Sequence, residues 1–213
     1  MFGEIIKIDN WKQASMVKRL FDIICSLIGL IIIFPALFII AILIKIDSPG
    51  PALYKSERVG KDGKKFRVYK FRTMVLDAEK KGGWSTALHD PRLTKIGSTL
   101  RKYKIDELPQ LINILKGEMS VVGPRPQVEE YTSRYTEEEN IILSVKPGLT
   151  DYASIELINL DEILGDGNVD EKYIREIEPR KNYLRMKYAK KHSFWIDLKI
   201  IYFTAKKLWN TKG

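Results

Sequence analysis

Residues 20–44 read LFDIICSLIGLIIIFPALFIIAILI, an apolar run whose only charge is Asp22 near its start. At about 1.5 Å of helical rise per residue, the run is long enough to cross a hydrocarbon core of roughly 30 Å. A cleaved signal peptide fits poorly, because the run outlasts an h-region and no small-x-small site closes it. A retained membrane anchor over residues 1–50 is therefore predicted. Basic residues flank both ends, Lys7, Lys12, Lys18 and Arg19 before it and Lys45, Lys55, Arg58 and Lys61 after it. The positive-inside bias then favours both ends on the cytoplasmic face. Pro35 lies near the middle, where it removes a backbone donor and predicts a kink. These residues leave two readings open: a helix that enters and leaves by one face, and a tilted transmembrane helix with a tolerated proline.

Asp47-Ser48-Pro49-Gly50-Pro51 cannot continue a helix, so a second, cytosolic unit over residues 51–213 is expected to begin there. The chain of 213 residues is long enough for one such unit with a real core. Lys and Arg exceed Asp and Glu by 36 to 27, a net charge of +9 that suits anionic lipid, phosphate-bearing substrates or nucleic acid alike. The single cysteine, Cys25, sits inside the apolar run, which excludes a disulfide framework and a cysteine-based zinc site. With only His89 and His192 besides, transition-metal chemistry is disfavoured, while hard cations held by carboxylates remain open.

Outward from the break, Ala52–Val59 and Phe66–Arg72 read as two short strands around a glycine-containing turn, a basic hairpin. Residues 80–91 read as a loop and Thr94–Tyr103 as a short helix. Glu107–Leu115 carries apolar residues at 108, 111, 112 and 115 and closes at Lys116-Gly117, the pattern of a capped helix. Gly123-Pro124-Arg125-Pro126 is rigid loop, Glu129–Leu143 is predicted helical, and Lys146–Thr150 is predicted to turn. Asp161–Leu164 reads as a short helix, and Tyr173–Lys191 and Phe194–Trp209 as two long ones. The last sets Trp195, Leu198, Tyr202, Ala205 and Trp209 along one side. That side suits either a membrane interface or packing on the domain. The expected class is α+β, mostly helical, with a short β-hairpin and interfacial C-terminal helices.

Asp106 and Glu107 stand at the start of the capped helix, where acids commonly serve only as caps. The same position also suits a carboxylate nucleophile facing a phosphate, with a divalent cation offsetting the repulsion between the two anions. Arg125, framed by two prolines, is either part of a rigid turn or a preorganised phosphate clamp. Lys70 and Arg72 alternate with Phe71 on the second strand, so both cations are predicted on one face, solvated or phosphate-facing.

Taken in order, these pieces resemble the bacterial sugar transferase family of monotopic phosphoglycosyl transferases. The matching residues are the apolar run with Pro35, Lys70-Phe71-Arg72-Thr73-Met74, Asp106-Glu107-Leu108-Pro109-Gln110-Leu111 with Asn113, Leu115-Lys116-Gly117-Glu118-Met119-Ser120, Gly123-Pro124-Arg125-Pro126 and Pro147-Gly148-Leu149-Thr150. The likeness covers nearly all of the chain beyond residue 17. It implies a re-entrant helix broken at Pro35 and a catalytic domain on the cytoplasmic face of the bacterial inner membrane. It further implies that Asp106 attacks a UDP-sugar, releases UMP and passes the phosphosugar to polyprenyl phosphate, as the first membrane step of surface glycan assembly. Mg2+ at Asp106 and Glu107 is implied as cofactor. Phosphate and substrate contacts are implied for Lys70, Arg72, Arg125, Pro147, Gly148 and Thr150. The expected partners are the donor, the lipid acceptor and membrane lipid, not nucleic acid, with a homodimer possible.

The chain departs from the family pattern in three places. Phe34 stands where Ser usually precedes the proline. Asp151-Tyr152-Ala153-Ser154-Ile155-Glu156 replaces a glycine-rich stretch ending in Gly-Arg. A multi-helix N-terminal extension is missing, which implies a minimal catalytic form. The competing classes are a membrane-tethered anion-binding module and an inactive scaffold for glycan assembly. Adjacent acids set between cationic motifs are needed by neither.

Overall fold

In chain order, the helices are α1 (Phe2–Asp47), α2 (Lys95–Lys102), α3 (Leu111–Lys116), α4 (Glu129–Thr132), α5 (Tyr152–Glu156), α6 (Leu160–Leu164), α7 (Val169–Lys172), α8 (Glu178–Lys191) and α9 (Phe194–Asn210). The strands are β1 (Leu53–Val59), β2 (Lys65–Phe71), β3 (Ser120–Val122) and β4 (Gly148–Thr150). This computed structural model describes residues 2–78, 90–165 and 169–210, so the loop predicted at 80–91 lies almost wholly outside the described residues.

The stretch from Ser15 to Asp47 is a helix long and apolar enough to cross a membrane. One side of it follows the rest of the molecule. Asp22 and Ser26 are buried near one end and Ile44 at the other. Leu37, Ile40, Ala41 and Ile44 pack with Ala52, Phe71 and Leu100 into one apolar cluster. The opposite side is uncovered, with Ile31, Ile32, Phe34 and Phe38 between 62% and 72% exposed. The helix is continuous through Pro35, where a break was expected, so any turn back toward the face of entry has to be made within an unbroken helix. Losing one donor costs less than unpairing several backbone groups in an apolar surrounding.

The basic hairpin forms as expected, β1 and β2 pairing antiparallel with Tyr54 opposite Lys70 and Arg58 opposite Phe66. Asp62 at φ 55° and Gly63 at φ 74° turn the chain between them. Thr94 caps α2 by accepting from the Gly97 amide at 2.9 Å. A further parallel pair, β3 with β4, was missed at residues 146–150, where three residues are too few to show alternation. Glu129–Leu143 also divides, into α4 and a 3-10 turn at Glu139–Ser144.

α9 presents its aromatic line outward, Trp195, Tyr202 and Trp209 being 73%, 62% and 80% exposed. Its packed side is instead Asp197 and Ile200, the latter clustered with Val122 and Tyr188. Tyr131, Leu164, Tyr173 and Ile177 form another core cluster, beneath the start of α8.

Candidate active site

The acidic pair sits on a 3-10 turn, Ile105–Gln110, that leads directly into α3. Lys104 enters the turn left-handed at φ 56° without a side-chain cap, and Pro109 lies within it. The predicted single helix from Glu107 thus begins one turn later, because Pro109 supplies no amide to the ladder. Neither acid caps a helix. Asp106 and Glu107 are nevertheless buried, at 6% and 9% exposure, and Asp106 Oδ1 has no hydrogen-bond partner.

Glu107 Oε1 accepts from Lys70 Nζ at 3.0 Å and from the Arg125 guanidinium. Burial pushes the Glu107 carboxyl up, but the charges of Arg125 and Lys70 outweigh it and hold the group far below the usual carboxylate range. Asp106 moves the other way, raised by burial and by the negative charge of Glu107 beside it. Burial pushes Lys70 down, opposed by Glu107, whereas Glu107 keeps Arg125 above its ordinary value despite burial. Two adjacent acids therefore differ in character. One is a fixed anion between two cations, and the other is an acceptor with a vacant hydrogen-bonding oxygen.

Arg125 owes its position to the β3–β4 pair. The Gly123 amide donates to Thr150 O and the Gly148 amide to Pro124 O, each at 3.0 Å. Gly123 and Gly148 touch so closely that a Cβ on Gly148 would lie 2.0 Å from the Gly123 nitrogen. Asp151 then accepts from the Arg125 amide at 3.1 Å and from the Ser154 amide at 2.7 Å, capping α5 with the same side chain. Pro147, Gly148 and Thr150 thus scaffold the arginine loop, with Thr150 Oγ1 also bonded to Thr204 Oγ1 at 2.7 Å.

The six predicted phosphate and substrate residues therefore divide. Lys70 and Arg125 converge on Glu107, and the three just named lie behind Arg125. Arg72 goes elsewhere, past the end of β2. Its guanidinium donates to the carbonyls of Ser48 at 2.7 Å, Ile44 at 3.4 Å and Pro49, closing the C-terminus of α1. Arg72 therefore does not join Lys70 at Glu107, although its amide still donates to Ala52 O at 2.9 Å beside the last pair of the hairpin.

Arg58 was missed. It lies on β1 with its charge coupled to Arg125 and Glu107, and burial pushes it below the ordinary arginine value. Its two-residue alternation with Tyr54 and Ser56 and the antiparallel register were the available signal. Also missed was the role of Lys18, Arg19 and Asp22 as fasteners. Arg19 donates to Ile114 O at 2.6 Å and Leu115 O at 2.7 Å. Lys18 pairs with Asp197 at 2.5 Å, and Asp22 accepts from Ser120 Oγ at 3.0 Å and the Val121 amide at 2.9 Å.

Among the described residues no group of three His, Cys, Asp or Glu side chains could hold a metal alone. The pair still fits magnesium, which takes one or two protein carboxylates and completes its shell from phosphate and water. With Glu107 Oε1 engaged by two cations, Asp106 Oδ1 would be the oxygen left open to such an ion.

An apolar helix fastened to a small body and two buried acids set among cations are the features by which the class of this protein is recognised. The bacterial sugar transferase family pattern matches residues 13–211. The chain belongs to the bacterial sugar transferase family. It is 50% identical over 122 residues to a Bacillus subtilis protein provisionally named undecaprenyl-phosphate N-acetylgalactosaminyl 1-phosphate transferase, covering 57% of this chain and 68% of that protein. It is 37% identical over 193 residues to the Escherichia coli UDP-glucose:undecaprenyl-phosphate glucose-1-phosphate transferase, covering 89% of this chain but 39% of that protein. A Salmonella typhimurium undecaprenyl-phosphate galactose phosphotransferase is 36% identical over 210 residues, covering 92% of this chain and 41% of that protein.

Proposed function

We propose that this chain moves a sugar 1-phosphate from a UDP-sugar to polyprenyl phosphate through a covalent phosphosugar on Asp106. The observation that carries this reading is the vacant, buried Asp106 Oδ1 beside a Glu107 that two cations hold ionised. In the first step, a carboxylate oxygen of Asp106 bonds to the sugar-bearing phosphorus of the donor. The bond from that phosphorus to the bridging oxygen breaks, and its electron pair leaves with UMP. In the second, a phosphate oxygen of the lipid bonds to the same phosphorus, and the electron pair of the Asp106–phosphorus bond returns to the carboxylate. Lys70 and Arg125 bind and orient the phosphates, with Arg58 adding positive charge. Magnesium at Asp106 would neutralise charge on the diphosphate. The names of the three relatives, all transferases acting with undecaprenyl phosphate, support the substrate classes.

The reaction is proposed to occur at the cytoplasmic face of the bacterial inner membrane, with α1 re-entrant. Lys18 and Asp47 are separated by about 44 Å along a straight helix, more than the ~30 Å hydrocarbon core. Yet Lys18 is tied to Asp197, and Asp47 accepts from the Ile96 amide at 3.2 Å, both within one polar body. Such fastening at both ends supports a bend that returns the chain to its face of entry. The outward aromatic line of α9 supports contact with the headgroup layer.

The test is UMP release by the purified protein with magnesium, undecaprenyl phosphate and a panel of UDP-sugars. Release is expected with a preferred sugar, lowered at least ~10³-fold by Asp106→Asn and abolished by a chelator. Undiminished turnover in the variant would remove the nucleophile, and undiminished turnover with chelator would remove the metal.

A further inference from the structure

Arg19 and Lys146, far apart in the sequence, come together at the end of α3. Gly117 follows that helix in the left-handed conformation at φ 82°, its amide donating to Ile114 O at 3.0 Å. A Cβ there would stand 3.4 Å from Arg19 Nη2 and 3.6 Å from Lys146 Nζ, so the two cations flank one point on the molecule. Arg19 gives one donor each to Ile114 O and Leu115 O, which leaves the rest of its guanidinium free to bind. Among the described residues Lys146 forms no hydrogen bond or ion pair, and Arg19 forms no ion pair.

Acids close by are engaged elsewhere. Asp22 accepts from Ser120 Oγ and the Val121 amide, Asp197 from Lys18, and Glu118 from Asn113 Nδ2 at 2.7 Å. Partial burial and the charge of Arg19 push the Lys146 ammonium below its ordinary value, with Lys61 and Lys18 adding to the effect and Asp22 opposing it. Two like charges held together and partly out of water are unfavourable until an anion joins them. A phosphate does so with one oxygen at about 2.8 Å from each nitrogen.

The surroundings decide which phosphate. Arg19 immediately precedes the apolar run that begins at Leu20. Beside it Met16, Leu20, Ile24 and Leu27 recur every three or four residues, and all lie exposed. An uncovered apolar stripe therefore starts at the level of the cation pair, a layout that suits a phosphate carrying acyl chains rather than a soluble one. Basic pockets at a membrane surface recognise anionic headgroups in this way. The engaged acids leave no partner for the ammonium of a zwitterionic headgroup. We infer that Arg19 and Lys146 form a binding site for the phosphate of an anionic phospholipid whose acyl chains lie along the stripe from Met16 to Leu27. The inference rests on the seating of α1 in lipid proposed above, and not on the transfer reaction.

The experiment offers phosphatidylglycerol and phosphatidylcholine of matched acyl chains to the full-length protein in mild detergent and measures retained lipid by native mass spectrometry. Arg19 closes α3, so its variants endanger the fold, and Lys146, which bonds nothing, carries the test as Lys146→Gln and Lys146→Arg. Lys190→Gln, at an exposed pair with Glu138 on α8, is the control of equal charge. The parent is expected to prefer phosphatidylglycerol about tenfold or more, Lys146→Gln to lose most of that preference, and Lys146→Arg and Lys190→Gln to keep it. Equal retention of both lipids by the parent, or an undiminished preference in Lys146→Gln, would overturn the site while leaving α1 in lipid. Retention of neither lipid would remove the membrane reading and the site with it. Displacement of phosphatidylglycerol by an equal concentration of glycerol phosphate would show a site for free phosphate and overturn the lipid assignment. A raised acceptor KM for UMP release in Lys146→Gln, measured without phosphatidylglycerol, would give the two cations to the acceptor and overturn it equally.

Discussion

At the scale of single residues, the arginines of this chain show how little side-chain type alone says about role. Arg125 faces a carboxylate, Arg185 grips an amide oxygen, and Arg72 closes a helix end. Arg72 and Lys70 are two residues apart, yet one closes the end of α1 and the other meets Glu107. Arg72→Lys is expected to destabilise the protein by about 2–3 kcal/mol, since one ammonium cannot reach carbonyls at Ile44, Ser48 and Pro49 together. Thermal unfolding would measure that loss, while the donor KM of the folded fraction should be unaltered. A rise in KM would return Arg72 to the substrate site. Asp106 and Glu107 stood out in the sequence as a candidate pair, but the capping role that competed with that reading was removed only by the structure. The 3-10 turn carries no side-chain cap, and burial rather than a helix end governs both acids.

At the scale of elements, the β3–β4 pair decides where Arg125 stands. Three-residue strands have no alternation to read, so Pro147-Gly148-Leu149-Thr150 looked like a turn. The close contact between Gly123 and Gly148 supplies the reason for glycine at both positions. Gly148→Ala should force the strands apart, costing about 3 kcal/mol in unfolding and raising the donor KM at least about tenfold in the folded fraction, as Arg125 moves. Wild-type stability and KM in that variant would mean that the loop repacks without consequence. The hairpin, α2, α6 and α9 were legible because each carries its own pattern of alternation, capping or helical spacing. The division of Glu129–Leu143 was not, since residues 133–138 leave the helix with no proline or glycine to announce it.

At the scale of the whole molecule, the apolar helix and the candidate site are tied together. Lys18 and Asp22 bind the segment leading into the Arg125 loop, and Arg19 closes the helix that follows Asp106 and Glu107. Cysteines introduced one at a time at Lys12 and Lys55, in a Cys25→Ser background, are expected to label only from the cytoplasmic side. Labelling from opposite sides would establish a spanning helix. The sequence by itself determined the long apolar helix, the mostly helical class with a short hairpin, the adjacency of the two acids and the family likeness, because these rest on periodicity, composition and short contiguous motifs. Only the tertiary structure decided that Lys70 and Arg125 share Glu107, that Arg72 does not join them, and that Arg185 grips Gln127 beside the Arg125 loop. Those arrangements join residues far apart in the chain, and which of many cations meets a given carboxylate depends on how separate elements pack, a relation that local patterns do not encode.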